Sequence, residues 1–325
     1  MKIGMISFAH IHAESYAKAL RRIEGVEFVG IMDEDSVRGR KYSELFGTLH
    51  FSNMDEFLKQ DMDAVIVTSE NVHHKEHVLA SAKAGKHVLC EKPISISITD
   101  AQEMIDVCKA NHVVLQTAFP VRYNSSILRA KEMIGNGVLG DIIAVKGTNR
   151  GQCPGGWFVD VELSGGGAVL DHTVHVTDIL RWFLGSEVRT VYAEIGNTFT
   201  NHLIDDSGIL SMEFENGVFA SLDCSWSRNA TYPIWGDITL EIIGTKGTLS
   251  VDAFNQKLNV YSNYLGYNHS FWGDDMDEEL IRDFVNCIRS GKKEAPITGE
   301  DGLRAIEVAF AAYESSKKKS VIYLN

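Results

Sequence analysis

From Ile3 to Leu115 the chain alternates between short apolar runs and longer amphipathic stretches. Ile3–Phe8, Phe28–Met32, Ala64–Val67, His87–Cys90 and Val113–Leu115 read as strands. Between them, helices are expected from about Ala13 to Arg22, from a Ser36 cap to Phe46, from an Asn53 cap to Leu58, from Val72 to Ala84, and from a Thr99 cap to Ala110. Strands that are each followed by a helix are not joined by tight hairpins. They form a parallel sheet with helices on both faces, and such sheets take their ligands beyond the carboxyl ends of the strands. The expected fold class of this half is an α/β Rossmann-type domain with a doubly wound parallel sheet.

After Thr117 the pattern changes. A helix over about Ser126–Ile134 precedes a strand starting at Ile142, and a helix follows from Gly165 to Leu184. Strands then dominate: Val188–Ile195, Gly208–Phe214, Val218–Trp226, Ile238–Ile243, Gly247–Val251 and Leu258–Tyr261. Asn216-Gly217 between two of them is a hairpin signal. Helices at Asp275–Arg289 and Glu300–Ser316 and a strand at Val321–Tyr323 close the chain. The second half is expected to be an α+β domain on a large, mostly antiparallel open sheet. The expected division is 1–119 and 120–325, with a substrate cleft at the joint.

Acidic residues outnumber basic ones, 44 to 31, for a formal net charge of -13. That disfavours nucleic acid, which needs clustered Lys and Arg, and anionic membrane surfaces. No apolar run approaches the roughly 20 residues that span a bilayer, and the N-terminal run has no signal-peptide pattern. Five scattered cysteines without a Cys-x-x-Cys fit reduced thiols in the cytoplasm.

Several residues stand where ligands are expected. The first strand ends in Ser7-Phe8-Ala9-His10-Ile11-His12. A dinucleotide fingerprint has glycines at the positions of Ser7 and Ala9, yet a helix N-terminus here remains an anion site, and His10 and His12 can donate to phosphate. Asp33 ends the second strand about 20 residues past this turn, where an acid binds a ribose diol. Glu34 and Asp35 follow, and a 2′-phosphate beside them would cost on the order of 4 kcal/mol per close charge pair, which favours NAD over NADP. His73, His74 and His77 have a metal-like spacing but no acid or cysteine partner in sequence, and no metal is expected.

The helix after Gly165-Gly166-Gly167 is the most unusual stretch. At about 100° per residue, Asp171, His175, Asp178 and Trp182 share one face of an otherwise apolar helix. Buried ionisable groups cost free energy unless paired, so a polar stripe there points to chemistry. On the same angular count His172 falls on the apolar side, near Ile179 and Phe183.

Cys90-Glu91-Lys92-Pro93 at a strand end, with Gly165-Gly166-Gly167-Ala168-Val169-Leu170-Asp171 and His175, resembles the glucose–fructose oxidoreductase/inositol dehydrogenase (Gfo/Idh/MocA) family. Further matches are Asn71 and His74, Arg122-Tyr123-Asn124, Trp157, Glu215-Asn216-Gly217 and Pro296 to Gly302. The resemblance covers essentially the whole chain. It implies an N-terminal Rossmann domain, a C-terminal domain with an open sheet, NAD(P)-dependent oxidation of a sugar or polyol hydroxyl, and a homo-oligomer, dimer or tetramer. It implies a catalytic set of Lys92, Asp171 and His175. Around the cofactor it implies Ser7, Phe8, Ala9, His10, Ile11, His12, Asp33, Ser69, Asn71, His74, Glu91 and Lys92; around the substrate, Arg122, Asn124, Trp157 and His172. Asn149, Tyr232 and Trp235 are further cleft candidates.

These residue types suit alcohol oxidation. Histidine is a base near neutral pH, a carboxylate one turn earlier can orient it or hold the substrate, and a lysine can stabilise alkoxide charge. Which of Lys92 and His175 moves the proton stays open. The chain departs from the family pattern at Ser7 and Ala9, at His172-Thr173, and at Ser69-Glu70. A hydrolase or epimerase using tightly held NAD for transient oxidation, and a non-catalytic binding protein, are the alternative readings.

Overall fold

The structure, a computed structural model, describes residues 1–264, 266–271 and 273–324. The chain divides into two compact units. One takes Met1–Pro120, Asp160–Gly165 and Asp277–Ile306; the other takes Val121–Val159, Gly166–Met276 and Glu307–Asn325.

In the first unit the strands are β1 (Lys2–Ile6), β2 (Glu27–Met32), β3 (Leu49–Phe51), β4 (Ala64–Val67), β5 (His87–Glu91) and β6 (Leu115–Ala118). They form one sheet in the order β3-β2-β1-β4-β5-β6, with every pair parallel. The connecting helices are α1 (Ala13–Arg22), α2 (Ser36–Phe46), α3 (Met54–Leu58), α4 (His74–Lys83) and α5 (Ile98–Ala110). Strands covered on both faces must be apolar throughout, and Ile3, Met5, Ile6, Val65, Ile66, Val88 and Leu89 are fully buried. The β6 edge is met by a distant stretch of the same unit: Thr117 N–H donates to Ile297 O at 3.1 Å and Thr117 Oγ1 donates to Thr298 O at 2.9 Å.

Two helix caps differ from expectation. Asp35, not Ser36, caps α2, accepting from the N–H groups of Val37 and Arg38. Ser97, not Thr99, caps α5, accepting from Asp100 N–H. In both cases an oxygen one or two residues earlier reaches the second or third free N–H, which is the geometry a cap requires. The strand β3 was not legible, being three residues long with its first exposed.

The second unit holds α6 (Ser125–Gly135), β7 (Ile142–Gly151), α8 (Ala168–Leu184), β8 (Val188–Gly196), β9 (Ser207–Phe214), β10 (Phe219–Asp223), β11 (Gly236–Gly244), β12 (Gly247–Asp252), β13 (Lys257–Ser262), β14 (Gly266–Phe271) and β15 (Ile322–Tyr323). The short helix α7 (Val161–Ser164) and, past its first residue, α9 (Met276–Arg289) belong to the first unit, while α10 (Gly299–Lys318) begins in the first unit and ends in the second. The main sheet runs β12-β11-β7-β10-β9-β8-β15, antiparallel except for the β7–β10 pair. Gly217 turns the β9–β10 hairpin at φ 85°. Val169, Val176, Ile179, Leu180 and Phe183 of α8 share one core with Val191, Leu210, Met212, Leu222 and Leu240 of the sheet.

The helix α8 begins at Ala168, three residues later than expected, because the glycines form its lead-in. It also buries more than its apolar face: His172, Thr173, Thr177 and Arg181 are all 9% exposed or less. The polar stripe is therefore not confined to one side. Among the described residues no helix is long and apolar enough to cross a membrane.

Candidate active site

In the first unit the β1–α1 turn is built without fingerprint glycines. Ser7 takes φ 66°, the left-handed conformation that a glycine adopts more easily. Its hydroxyl accepts Ala9 N–H at 3.2 Å, and its carbonyl accepts Thr68 Oγ1–H at 2.6 Å. Phe8 turns inward and stacks on Tyr42, 4.5 Å between ring centroids, whereas Ile11 is exposed.

Asp33 is buried and each of its oxygens has two donors. Oδ2 accepts from Phe8 N–H and Arg38 Nε–H; Oδ1 accepts from Asp35 N–H and Arg38 Nη2–H. Arg38 was not singled out in the sequence. The signal was present, since a base in the first turn of α2 sits one turn beyond the strand-end acid.

Glu91, at the end of β5, is fully buried and gathers the turn's histidines. His12 Nδ1 lies 3.0 Å and His10 Nδ1 3.5 Å from its Oε1, while Lys92 N–H donates to its Oε2 at 3.0 Å. Burial pushes the Glu91 carboxyl up, but His10, His12 and Lys92 outweigh it and hold the group well below its ordinary range. Burial pulls His12 down, and Glu91 with Asp277 more than offsets this. Tyr16, also unremarked in sequence, places its hydroxyl 3.4 Å from His12 Nδ1 one helical turn on. Lys92 itself is 5% exposed.

Three expected cofactor residues are committed inside this unit. Ser69 Oγ pairs with His77 Nδ1 at 3.0 Å. His74 lies between the carbonyls of Pro93 and Ser69, at 2.9 and 3.2 Å, and burial lowers its pKa. Asn71 donates to Ser164 O at 2.8 Å. Two features nevertheless fit a dinucleotide: among the described residues, α1 has no side-chain cap on its N-terminus, and the buried Asn71 Oδ1 has no hydrogen-bond partner.

In the second unit the start of α8 is fixed by backbone contact. A Cβ on Gly167 would lie 1.9 Å from Asp205 O, so no other residue fits there. Asp205 accepts the N–H groups of Gly167 and Val169, at 2.9 and 2.8 Å. Tyr313 O–H donates to Asp205 Oδ1 at 2.9 Å and accepts Leu170 N–H at 3.2 Å.

The helix then presents Asp171. Its Oδ2 accepts Trp226 Nε1–H at 3.3 Å and lies 3.3 Å from His172 Nε2. His172, which by helical angle falls on the side of Ile179 and Phe183, thus also reaches the acid. The angular count treats side chains as short, but an imidazole spans to its neighbour once the Trp226 and Trp235 rings, 6.4 and 6.1 Å away in edge contact, close its other side. Gly151 leaves the room: a Cβ there would lie 2.7 Å from the His172 ring. His175, one turn after Asp171, is buried.

Two expected substrate residues are likewise committed. Arg122 donates Nε and Nη2 to Asp178, at 2.7 and 2.5 Å, in a buried pair. Asn124 caps α6 through its Oδ1 and donates Nδ2 to Ala253 O at 2.7 Å. Trp157 is half-buried and stacks on Phe158 at 3.9 Å.

Residues 1–119 match the family model described as the oxidoreductase family NAD-binding Rossmann fold, and residues 127–250 match the GFO/IDH/MocA C-terminal domain. A myo-inositol 2-dehydrogenase of Thermotoga maritima is 31% identical, over 100% of this chain and 98% of that protein. An NADP-dependent D-xylose 1-dehydrogenase of Haloarcula marismortui is 28% identical, over 81% and 75%. The crystal structure of a probable dehydrogenase from Thermotoga maritima superposes with a TM-score of 0.85 at 28% identity, over 99% of each chain.

Proposed function

The chain belongs to the GFO/IDH/MocA oxidoreductase family, and from that premise we propose that it oxidises a hydroxyl group of a sugar or polyol with NAD, using Lys92, Asp171 and His175. The observation that carries the reading is Lys92. It is a buried lysine immediately after β5, at the strand end where a parallel sheet takes its ligand. Bound dinucleotide supplies the hydride acceptor.

The protein's own residues hold and move the proton. The turn from Ser7 to His12, the N-terminus of α1 and Asn71 hold the dinucleotide. Asp171, oriented by Trp226 and His172, accepts a hydrogen bond from a substrate hydroxyl. Lys92 donates to the oxygen being oxidised and stabilises its developing negative charge. His175 accepts the hydroxyl proton, a role suited to an imidazole near neutral pH. The acid cluster of Asp33, Glu34 and Asp35 supports NAD over NADP. The free thiols support a cytoplasmic location. Exposed Ile209, Phe219 and Ile243 on the main sheet support a homo-oligomer.

The test is NADH binding by fluorescence, followed by a panel of sugars and polyols read by NAD reduction. Lys92→Ala should bind NADH and lose turnover on the substrate found. Absence of NADH binding, or full turnover by Lys92→Ala, overturns the proposal. Product formation without net NADH would move the assignment to transient oxidation.

A further inference from the structure

The β1–α1 turn, which the proposed function gives to the dinucleotide, also brings two histidines against a buried carboxylate. His10 Nδ1 accepts the His12 backbone N–H at 3.2 Å. It lies 3.5 Å from Glu91 Oε1, and His12 Nδ1 lies 3.0 Å from the same oxygen. One ligand atom from each of the three residues lies within 4.8 Å of the others. A cation held by these atoms would compete for the His10 Nδ1 lone pair against the His12 amide contact.

The two distances to Glu91 Oε1, 3.0 and 3.5 Å, are close to those between ligands of one metal ion. Ligands about 2.1 Å from a central ion, at tetrahedral or octahedral angles, lie about 3.0 to 3.4 Å from one another. The set is also held in place. The side chains of Glu91 and His10 are 0% and 1% exposed, while that of His12 is 27% exposed and leaves one side open. Two imidazoles and a carboxylate suit zinc, cobalt or manganese rather than calcium or magnesium, which prefer oxygen. The Lys92 ammonium opposes a cation here, and the Asp277 carboxylate acts against it.

We propose that His10, His12 and Glu91 form a site for a divalent transition-metal ion whose open positions take oxygen ligands. Sequence spacing assigns both histidines to phosphate and raises metal only at His73, His74 and His77. Glu91, distant in sequence, is what the fold adds.

The full chain, stripped with a chelator, is titrated with Co2+. The expected result is one equivalent bound, seen as a visible absorption band and displaced by Zn2+. His12→Ala and Glu91→Gln should lose the band and His73→Ala should keep it. Because Glu91 is buried, the wild-type protein supplies a second readout: bound Co2+ should shift the imazole proton resonances of two histidines. Sub-stoichiometric uptake, retention of the band by both His12→Ala and Glu91→Gln, or shifts from a different number of histidines would overturn the site. NADH binding by the same stripped protein is read separately, so loss of one reading leaves the other standing.

Discussion

Arg38 closes on Asp33 with two arms of its guanidinium, Nε to Oδ2 at 2.8 Å and Nη2 to Oδ1 at 2.9 Å. With Phe8 and Asp35 donating as well, the carboxylate expected to hold a ribose diol is already fully engaged. Arg38 also keeps part of its side chain in solvent. It is therefore the group a 2′-phosphate would meet inside an acidic cluster. Arg38→Ala should lower affinity for NADPH more than for NADH, changing their ratio about tenfold, the order of one charge-assisted hydrogen bond. Parallel fluorescence titrations check this, and an unchanged ratio would remove Arg38 from cofactor discrimination.

In the proposed mechanism His172 positions Asp171, through the 3.3 Å approach of its Nε2. In His172→Phe the acid keeps Trp226 but loses this contact. Turnover should fall about tenfold to a hundredfold, the loss of one hydrogen bond to a charged group, with a smaller change in KM. Steady-state kinetics on the identified substrate, repeated across pH, separates this from simple misfolding. Wild-type kinetics would show that the acid is oriented without His172.

Gly167→Ala puts a methyl group 1.9 Å from Asp205 O. The contact is with backbone, so the Asp205 segment must move and its bonds to Gly167 and Val169 weaken. We expect a loss of about 1–3 kcal/mol, as for other overpacked sites, read by urea denaturation. Gly135→Ala in α6 meets nothing within 4 Å, and should be neutral or mildly stabilising.

Burial first, then the charges of His74 and His73, pulls the His77 pKa from 6.5 to about 3. The unfolded chain therefore takes up a proton below about pH 6.5 that the folded chain refuses until about pH 3. Stability should fall as pH drops through that window, by up to about 1.4 kcal/mol per pH unit for one proton. His74 shifts in the same direction. His77→Gln should flatten the decline between about pH 7 and 4.5 in urea midpoints. An unchanged slope would place the uptake elsewhere.

The parallel sheet of the first unit, β3 apart, is legible from alternation, because apolar runs such as Ala64–Val67 have no exposed face to confuse their reading. The hairpin at Asn216-Gly217 was equally plain, since a tight turn leaves its mark in two residues. Sequence period said less about partners. Arg122 with Asp178, Asn124 with Ala253, and Glu91 with His10 are separated by 56, 129 and 81 positions, and no local pattern records such pairings. Residue type gave the right neighbourhood for polar groups, but not which of them the fold would use to satisfy its own buried donors and acceptors.

The contact at the β6 edge bears on how the protein is made. Thr117 and Thr298 are 181 positions apart, so a ribosome working at roughly 5–20 residues per second leaves that sheet edge uncovered for roughly 10 to 40 s. An open parallel edge is a template for the wrong strand. The nascent first unit thus carries an uncovered sheet edge until that stretch is made, and a truncation before Ile297 would leave that exposure permanent.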